Sequence, residues 1–224
     1  MARQLAFDLP AEVRLEARDF FVGPANEQAY AMVLSPESWP NGKLALVGPA
    51  RSGKTHLARI FADATDAAMV RAGAIDPDAD LPDTALVVED GPDLQPHAEE
   101  WLFHAHNRLA QHGLPLLVTG RSAPARWPLT LPDLASRLSA ATSVTIDQPD
   151  DALLTALLLK QFQDRQLTPA PDALTYLVRN LPRSFAAVQQ AVETLDRRAL
   201  AQSRSLTRPF VQTVLAELDP DGRS

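Results

Sequence analysis

The sequence predicts an α/β fold: a five-stranded parallel sheet flanked by helices, followed by a small all-α domain. Three observations predict it. Short apolar runs alternate with helical spacing through the first two thirds of the chain. After Gln148-Pro149-Asp150 only helical periodicity remains. The composition supports a buried core, with 46% apolar and 22% charged residues among 224, which is ordinary globular usage.

Five segments read as strands: Lys43–Val47, Ala68–Arg71, Ala85–Val88, Leu114–Thr119 and Ser143–Ile146. Each is short, almost continuously apolar and bounded by Gly, Pro or Asp, as strands covered on both faces are. Thr55–Asp63 and His97–Gln111 carry helical spacing between them. Beyond Asp150, a plausible N-cap, Leu153, Leu154, Leu157 and Leu158 form one stripe of a helix over Asp151–Phe162. Pro169-Ala170-Pro171 breaks the pattern before a short helix at Asp172–Asn180. Ser184 caps Phe185–Ala201, and Thr207–Leu218 forms the last helix. The expected organisation is a tail over residues 1–16, an α/β domain over 17–149 and a helical domain over 150–224.

Charge and composition exclude several functions. With 21 Lys+Arg against 28 Asp+Glu, the formal net charge is −7. That sign opposes long-range attraction to a phosphate backbone, so no direct, specific DNA binding is expected. Cysteine is absent, which excludes disulfides, thiolate metal sites and a Cys nucleophile. No apolar run reaches the length of a membrane span, and Gln4 and Asp8 interrupt any secretory signal in the first ten residues. A cytoplasmic protein with no membrane partner is expected.

Gly48-Pro49-Ala50-Arg51-Ser52-Gly53-Lys54-Thr55 matches G-x-x-x-x-G-K-[ST] at every fixed position. A strand precedes it and a helix follows, as a phosphate loop requires. The glycines let backbone N–H groups turn toward phosphate oxygens, and the helix N-terminus adds partial positive charge. Lys54 is expected at the β/γ-phosphates and Thr55 on Mg²⁺. The bland alternative is a Gly-Pro turn opening an ordinary helix. The third strand ends in Glu89-Asp90, a Walker B arrangement. There one carboxylate, Glu89, is expected to hold Mg²⁺ or its water while Asp90 orients an attacking water. The order is unusual, since Asp commonly comes first. Weak intrinsic hydrolysis follows from it.

Taken in order, these segments and several others resemble the DnaA/Hda family of AAA+ ATPases, specifically its regulatory, Hda-type members. Phe20-Phe21-Val22-Gly23-Pro24-Ala25-Asn26 is similar to the segment that packs on adenine, implying contacts from Phe21 and Val22. Gly53-Lys54-Thr55-His56-Leu57 resembles the family's phosphate-loop ending, which adds His56. Thr119-Gly120-Arg121 stands at the sensor 1 position, although Gly120 departs from the polar residue expected there. Asp133-Leu134-Ala135-Ser136-Arg137-Leu138 resembles the arginine-finger box, making Arg137 the finger. Leu181-Pro182-Arg183-Ser184-Phe185 places Arg183 as sensor 2, and Leu206-Thr207-Arg208-Pro209-Phe210-Val211 resembles the start of the last lid helix. No helix-turn-helix domain follows Leu218 in this sequence. The tail Gln4-Leu5-Ala6-Phe7-Asp8-Leu9 is similar to a sliding-clamp motif, with Gln4 as hydrogen-bonding group and Leu5, Phe7 and Leu9 as anchors.

The resemblance implies an ATPase regulator that binds ADP or ATP with Mg²⁺. Its partners would be the DnaA initiator and the β subunit sliding clamp of DNA polymerase III. It would promote hydrolysis of initiator-bound ATP through Arg137 acting in trans, and self-association remains compatible with that role. Two other classes stay open: a P-loop kinase using Lys54 and Thr55, and an adaptor that holds nucleotide only to remain folded. His97, His104, His106 and His112 lack a metal-ligand pattern and read as a solvated helix face. Trp39, Trp101 and Trp127 read as core or domain-seam residues rather than base-stacking platforms.

Overall fold

A computed structural model describes residues 14–16 and 20–218. Those residues divide into two compact units, Asn26–Asp147 and a second unit that joins the segment before Asn26 to the segment from Gln148 onward.

The first unit is a five-stranded sheet with every neighbouring pair parallel. Its strands are β3 (Lys43–Val47), β4 (Ala68–Arg71), β5 (Leu86–Glu89), β6 (Leu116–Gly120) and β7 (Thr142–Thr145), arranged β4-β5-β6-β3-β7. Helices α1 (Glu27–Val33), α2 (Lys54–Thr65), α3 (Glu99–His112) and α4 (Pro132–Ser139) flank it. Every residue of β3, β5 and β6 is buried, which is why those strands read as unbroken apolar runs. Leu86, Leu102, Leu109, Leu116 and Leu138 anchor one core cluster, with Trp101 and Trp127 in it. Trp39 stacks on Phe61, ring centroids 5.1 Å apart. All three tryptophans are core residues, as the sequence suggests.

Several boundaries differ from the sequence reading for local reasons. Strand β6 starts at Leu116 rather than Leu114, because Pro115 has no N–H to give the ladder; its carbonyl instead accepts from Leu86. Strand β5 extends through Glu89, which pairs with Arg71. Helix α3 begins at Glu99 because Pro96–Ala98 forms a 3₁₀ turn. Helix α1, of seven residues, has no strong apolar period, and the sequence reading left it without an element. His97, His104 and His112 are exposed as expected, whereas His106 is buried at 7% exposure. Its place in α3 puts it on the same face as Leu102 and Leu109.

The second unit contains β1 (Arg14–Glu16) and β2 (Phe20–Val22), an antiparallel pair with Leu15 opposite Phe21. It also contains four helices: α5 (Asp151–Asp164), α6 (Pro171–Asn180), α7 (Phe185–Gln202) and α8 (Arg208–Leu218). Leu154, Leu158, Phe162, Leu177, Val192, Leu195 and Phe210 build its core, and β2 packs on α5. Both proposed caps form. Asp150 accepts from the Leu153 N–H at 2.7 Å, and Ser184 accepts from the Ala187 N–H at 3.0 Å. No helix of the described residues is long and apolar enough to cross a membrane.

Candidate functional site

Parallel strands deliver their following loops to one edge of the sheet. Gly48, Asp90, Arg121 and Ile146 follow β3, β5, β6 and β7 at that edge. The loop after β3 is tied on both sides. Gly48 donates to the Gly120 carbonyl at 3.1 Å, and Ile146 donates to the Val47 carbonyl at 2.8 Å. Close packing explains the glycine at 48: a Cβ there would lie 2.8 Å from Ser52 Oγ and 3.1 Å from Ile146 Cβ. Gly53 holds φ +94°, a conformation that disfavours a side chain. It opens α2, a 12-residue helix, with no side-chain cap, and a helix N-terminus favours an anionic acceptor.

The loop's polar atoms fit a phosphate. Lys54 is 8% exposed and its Nζ donates to the carbonyls of Gly48 at 2.9 Å and Pro49 at 2.7 Å. Burial lowers its pKa; Asp90 acts to raise it and Arg121 to lower it. Ser52 Oγ is buried with no hydrogen-bond partner, and an oxyanion would satisfy it. Thr55 is exposed. With Thr55, Glu89 and Asp90 the edge offers hard oxygen donors of the type Mg²⁺ takes beside phosphates and water. The described residues hold no group of three or more His, Cys, Asp or Glu side chains that could hold a metal ion.

Glu89 is 8% exposed, while Asp90 is exposed and sits at φ 55°, ψ 49°. The Asp90 N–H donates to Thr119 Oγ1 at 3.1 Å. That bond locks the turn after β5 to the end of β6. Gly120 has a packing cause: the Trp127 ring covers it, and a Cβ at 120 would lie 2.9 Å from Trp127 Cζ2. Trp127 donates from Nε1 to the Ser122 carbonyl at 2.8 Å, and its ring also covers Gly91. An indole thus fills the space that a side chain at 120 would take. The next residue, Arg121, is the cation that lowers the Lys54 pKa.

Arg137 lies elsewhere. It is in the last turn of α4, exposed, with its Cζ 5.1 Å from the Phe103 ring centroid. It shares a pocket with Lys43, the first residue of β3, whereas the phosphate loop follows the last residue of that strand. Four steps along a strand separate the two ends by roughly 13 Å. Glu99 holds this region in place and was not singled out in the sequence. It is 1% exposed and accepts from the Thr130 N–H and Oγ1 and from the Leu131 N–H, at the entry to α4. A first-turn glutamate on α3 carries no sequence signal for that role.

The second unit carries the remaining candidates. Val22 is buried at 1% exposure and Phe21 is half-buried on β2. Arg183 pairs with Asp151 Oδ1 at 2.9 Å, with both side chains more than half exposed. Such a pair is worth about 0–1 kcal/mol and is readily exchanged for another anion. Gln4, Leu5, Phe7 and Leu9 lie outside the described residues.

Residues 150–215 match the family described as Hda, lid domain. Solved structures share the fold across most of the chain. Domain III of the Thermotoga maritima replication initiation protein DnaA has 17% identity and a TM-score of 0.72, covering 88% of this chain and 94% of that one. AMPPCP-bound DnaA from Aquifex aeolicus has 16% identity and a TM-score of 0.61, covering 80% of this chain and 65% of that one. The Thermotoga maritima RuvB Holliday junction branch migration motor has 15% identity and a TM-score of 0.67, covering 93% and 73%. At these identities the likeness shows the fold.

Proposed function

We propose that this chain, whose residues 150–215 match the Hda lid family and whose fold is shared with DnaA domain III, is a DnaA/Hda-like AAA+ protein that regulates a replication initiator by acting on the initiator's bound ATP. The observation that carries the reading is the lid match on a sheet domain whose phosphate loop is complete. Adenine nucleotide is the proposed ligand. Gly48–Thr55 would take its phosphates and His56 would flank them; Phe21, Val22 and Arg183 are proposed as nucleotide contacts on the family resemblance alone. Bound Mg²⁺ would neutralise charge on the phosphate oxygens, with Thr55 and Glu89 as its protein donors. Asp90 would orient water, and Arg121 would add positive charge at the phosphates. The indole over Gly120 leaves no room for a polar sensor, which supports weak intrinsic hydrolysis.

Arg137 is the proposed group for the reaction in trans. It lies at the far end of β3 from its own phosphate loop, and no carboxylate of the described residues pairs with it. An arginine delivered to another subunit's γ-phosphate stabilises developing charge by about 10³–10⁵ in rate. Arg137→Ala is expected to keep this chain's own nucleotide affinity and to lose stimulation of initiator ATP hydrolysis by orders of magnitude. Nucleotide titration beside a hydrolysis assay with clamp-loaded DNA reads both. Wild-type stimulation by the variant would sink the in-trans assignment. The sliding clamp is the proposed second partner, through Gln4, Leu5, Phe7 and Leu9.

A further inference from the structure

A pocket of about 310 Å³ lies where the strands of the first unit begin, at the opposite end of β3 from the phosphate loop. Asn41, Lys43, His106 and Arg137 are its polar lining residues, and no carboxylate lines it. Lys43 is 4% exposed and His106 is 7% exposed. Lys43 Nζ has one oxygen near it, the Leu114 carbonyl, at a long 3.4 Å. His106 Nδ1 is buried without a hydrogen-bond partner. Arg137 rests on Phe103 from α3. Neither Lys43 nor Arg137 forms an ion pair among the described residues.

An ammonium buried without a counter-charge is costly. Its consequence is visible in the titration of the group. Burial pushes Lys43 down to about 8. Burial first, then the charges of Lys43 and Arg137, push His106 down to about 4, against a hydrogen bond with the Asn107 side chain. At neutral pH the pocket therefore holds two cations and a neutral imidazole. The missing component is an anion with several acceptor atoms, and an oxyanion pairs naturally with an arginine fork and a lysine point charge.

We propose that Lys43, His106 and Arg137 form a binding site for a phosphate-class oxyanion, separate from the phosphate loop. Lys43 supplies the buried charge, Arg137 the planar donor fork, and His106 a neutral imidazole whose unpartnered Nδ1 accepts from a phosphate O–H or, in the other tautomer, donates to a phosphate oxygen. The volume admits a phosphate group with water, or the phosphate end of a nucleotide. Two sources share that chemistry: free inorganic phosphate, which ATP hydrolysis releases, and a nucleotide's own phosphate. Occupancy would engage Arg137 and so set a phosphate-dependent brake on whatever that arginine does in trans. The site itself stands on the pocket alone, whereas the brake rests on the proposed function.

The test silences the phosphate loop with Lys54→Ala in the full chain, checks folding by its melting transition, and titrates it calorimetrically with inorganic phosphate and, separately, ADP. One-to-one phosphate binding is expected, weakened tenfold or more by a further Lys43→Met, which keeps side-chain volume. Affinity should also fall about tenfold per pH unit above 8 as Lys43 loses its proton. This arm needs no second substitution and stands even if Lys43→Met fails to fold. The unaltered chain saturated with ADP repeats the phosphate titration if Lys54→Ala does not fold. Binding of ADP alone, with the same Lys43 and pH dependence, assigns the site to a nucleotide phosphate. Absence of binding by both probes, or binding indifferent to Lys43→Met and to pH, overturns the proposal. Loss of the phosphate response with initiator stimulation intact separates this site from the trans reading.

Discussion

Glu99 shows how much a single buried carboxylate organises. Its oxygens accept from two backbone N–H groups and one hydroxyl at the entry to the helix that carries Arg137. Hydrogen bonds to a charged group contribute about 1.5–3 kcal/mol each. Glu99→Gln keeps the shape and loses charge and acceptor capacity. It is expected to lower stability by about 1–3 kcal/mol and to reduce trans stimulation while nucleotide affinity holds. Urea unfolding and a nucleotide titration check both; equal loss of both activities would mean general unfolding instead. His106 makes a different contribution. Its pKa is about 4 in the folded chain against 6.5 unfolded, so between those values the unfolded state binds the extra proton. Stability is full above pH 6.5 and falls as pH drops toward 4, by up to about 1.4 kcal/mol per unit. His106→Gln should flatten that limb, read from urea midpoints at pH 4.5 and 7. An unchanged slope would remove the assignment.

At the scale of elements, the lid helices are started by two side chains. Asp150 caps α5 and Ser184 caps α7, each through one hydrogen bond to an N–H three residues on. Asp150→Ala and Ser184→Ala are each expected to cost about 1 kcal/mol, near additively, since each acts on its own helix. Circular dichroism through a denaturant series measures it, and a loss below a few tenths in both would show that packing alone sets those ends. These caps were legible in the sequence because a cap is a local event. So were β3 and β4, whose apolar runs end at Gly or a charge. What escaped was set at a distance. Helix α1 has no period of its own and is held by packing on α2 and β7. The true start of β6 depends on which N–H the ladder needs at Pro115. Site residues divide the same way: the phosphate loop is written contiguously, whereas Glu99 and Lys43 act on groups about thirty to seventy residues away. Gly120 was visible as a departure, but its cause, the Trp127 ring, lies in the next loop.

The sheet unit places Arg137 and the phosphate loop at opposite ends of β3, as the proposed action in trans requires. If the tail adds the clamp as a partner, that function should be separable from the core. Leu5→Ala with Phe7→Ala is expected to abolish clamp recovery in a pull-down and to leave the melting temperature of the core nearly unchanged. Retained clamp recovery would locate the contact elsewhere. The division into units carries a further consequence. The unit Asn26–Asp147 is continuous, while its companion joins β2 to α5 across that whole stretch. On the ribosome, Phe20 and Val22 emerge early, yet α5 follows only after the sheet unit is made, an interval on the order of ten seconds at ordinary elongation rates. Through that interval two side chains buried at 5% and 1% in the finished protein are bare to other nascent chains and to chaperones. Vectorial synthesis therefore works for one half of this molecule and against the other. A permuted chain that begins at Asn26 and returns residues 1–25 after the lid would give each half an uninterrupted start.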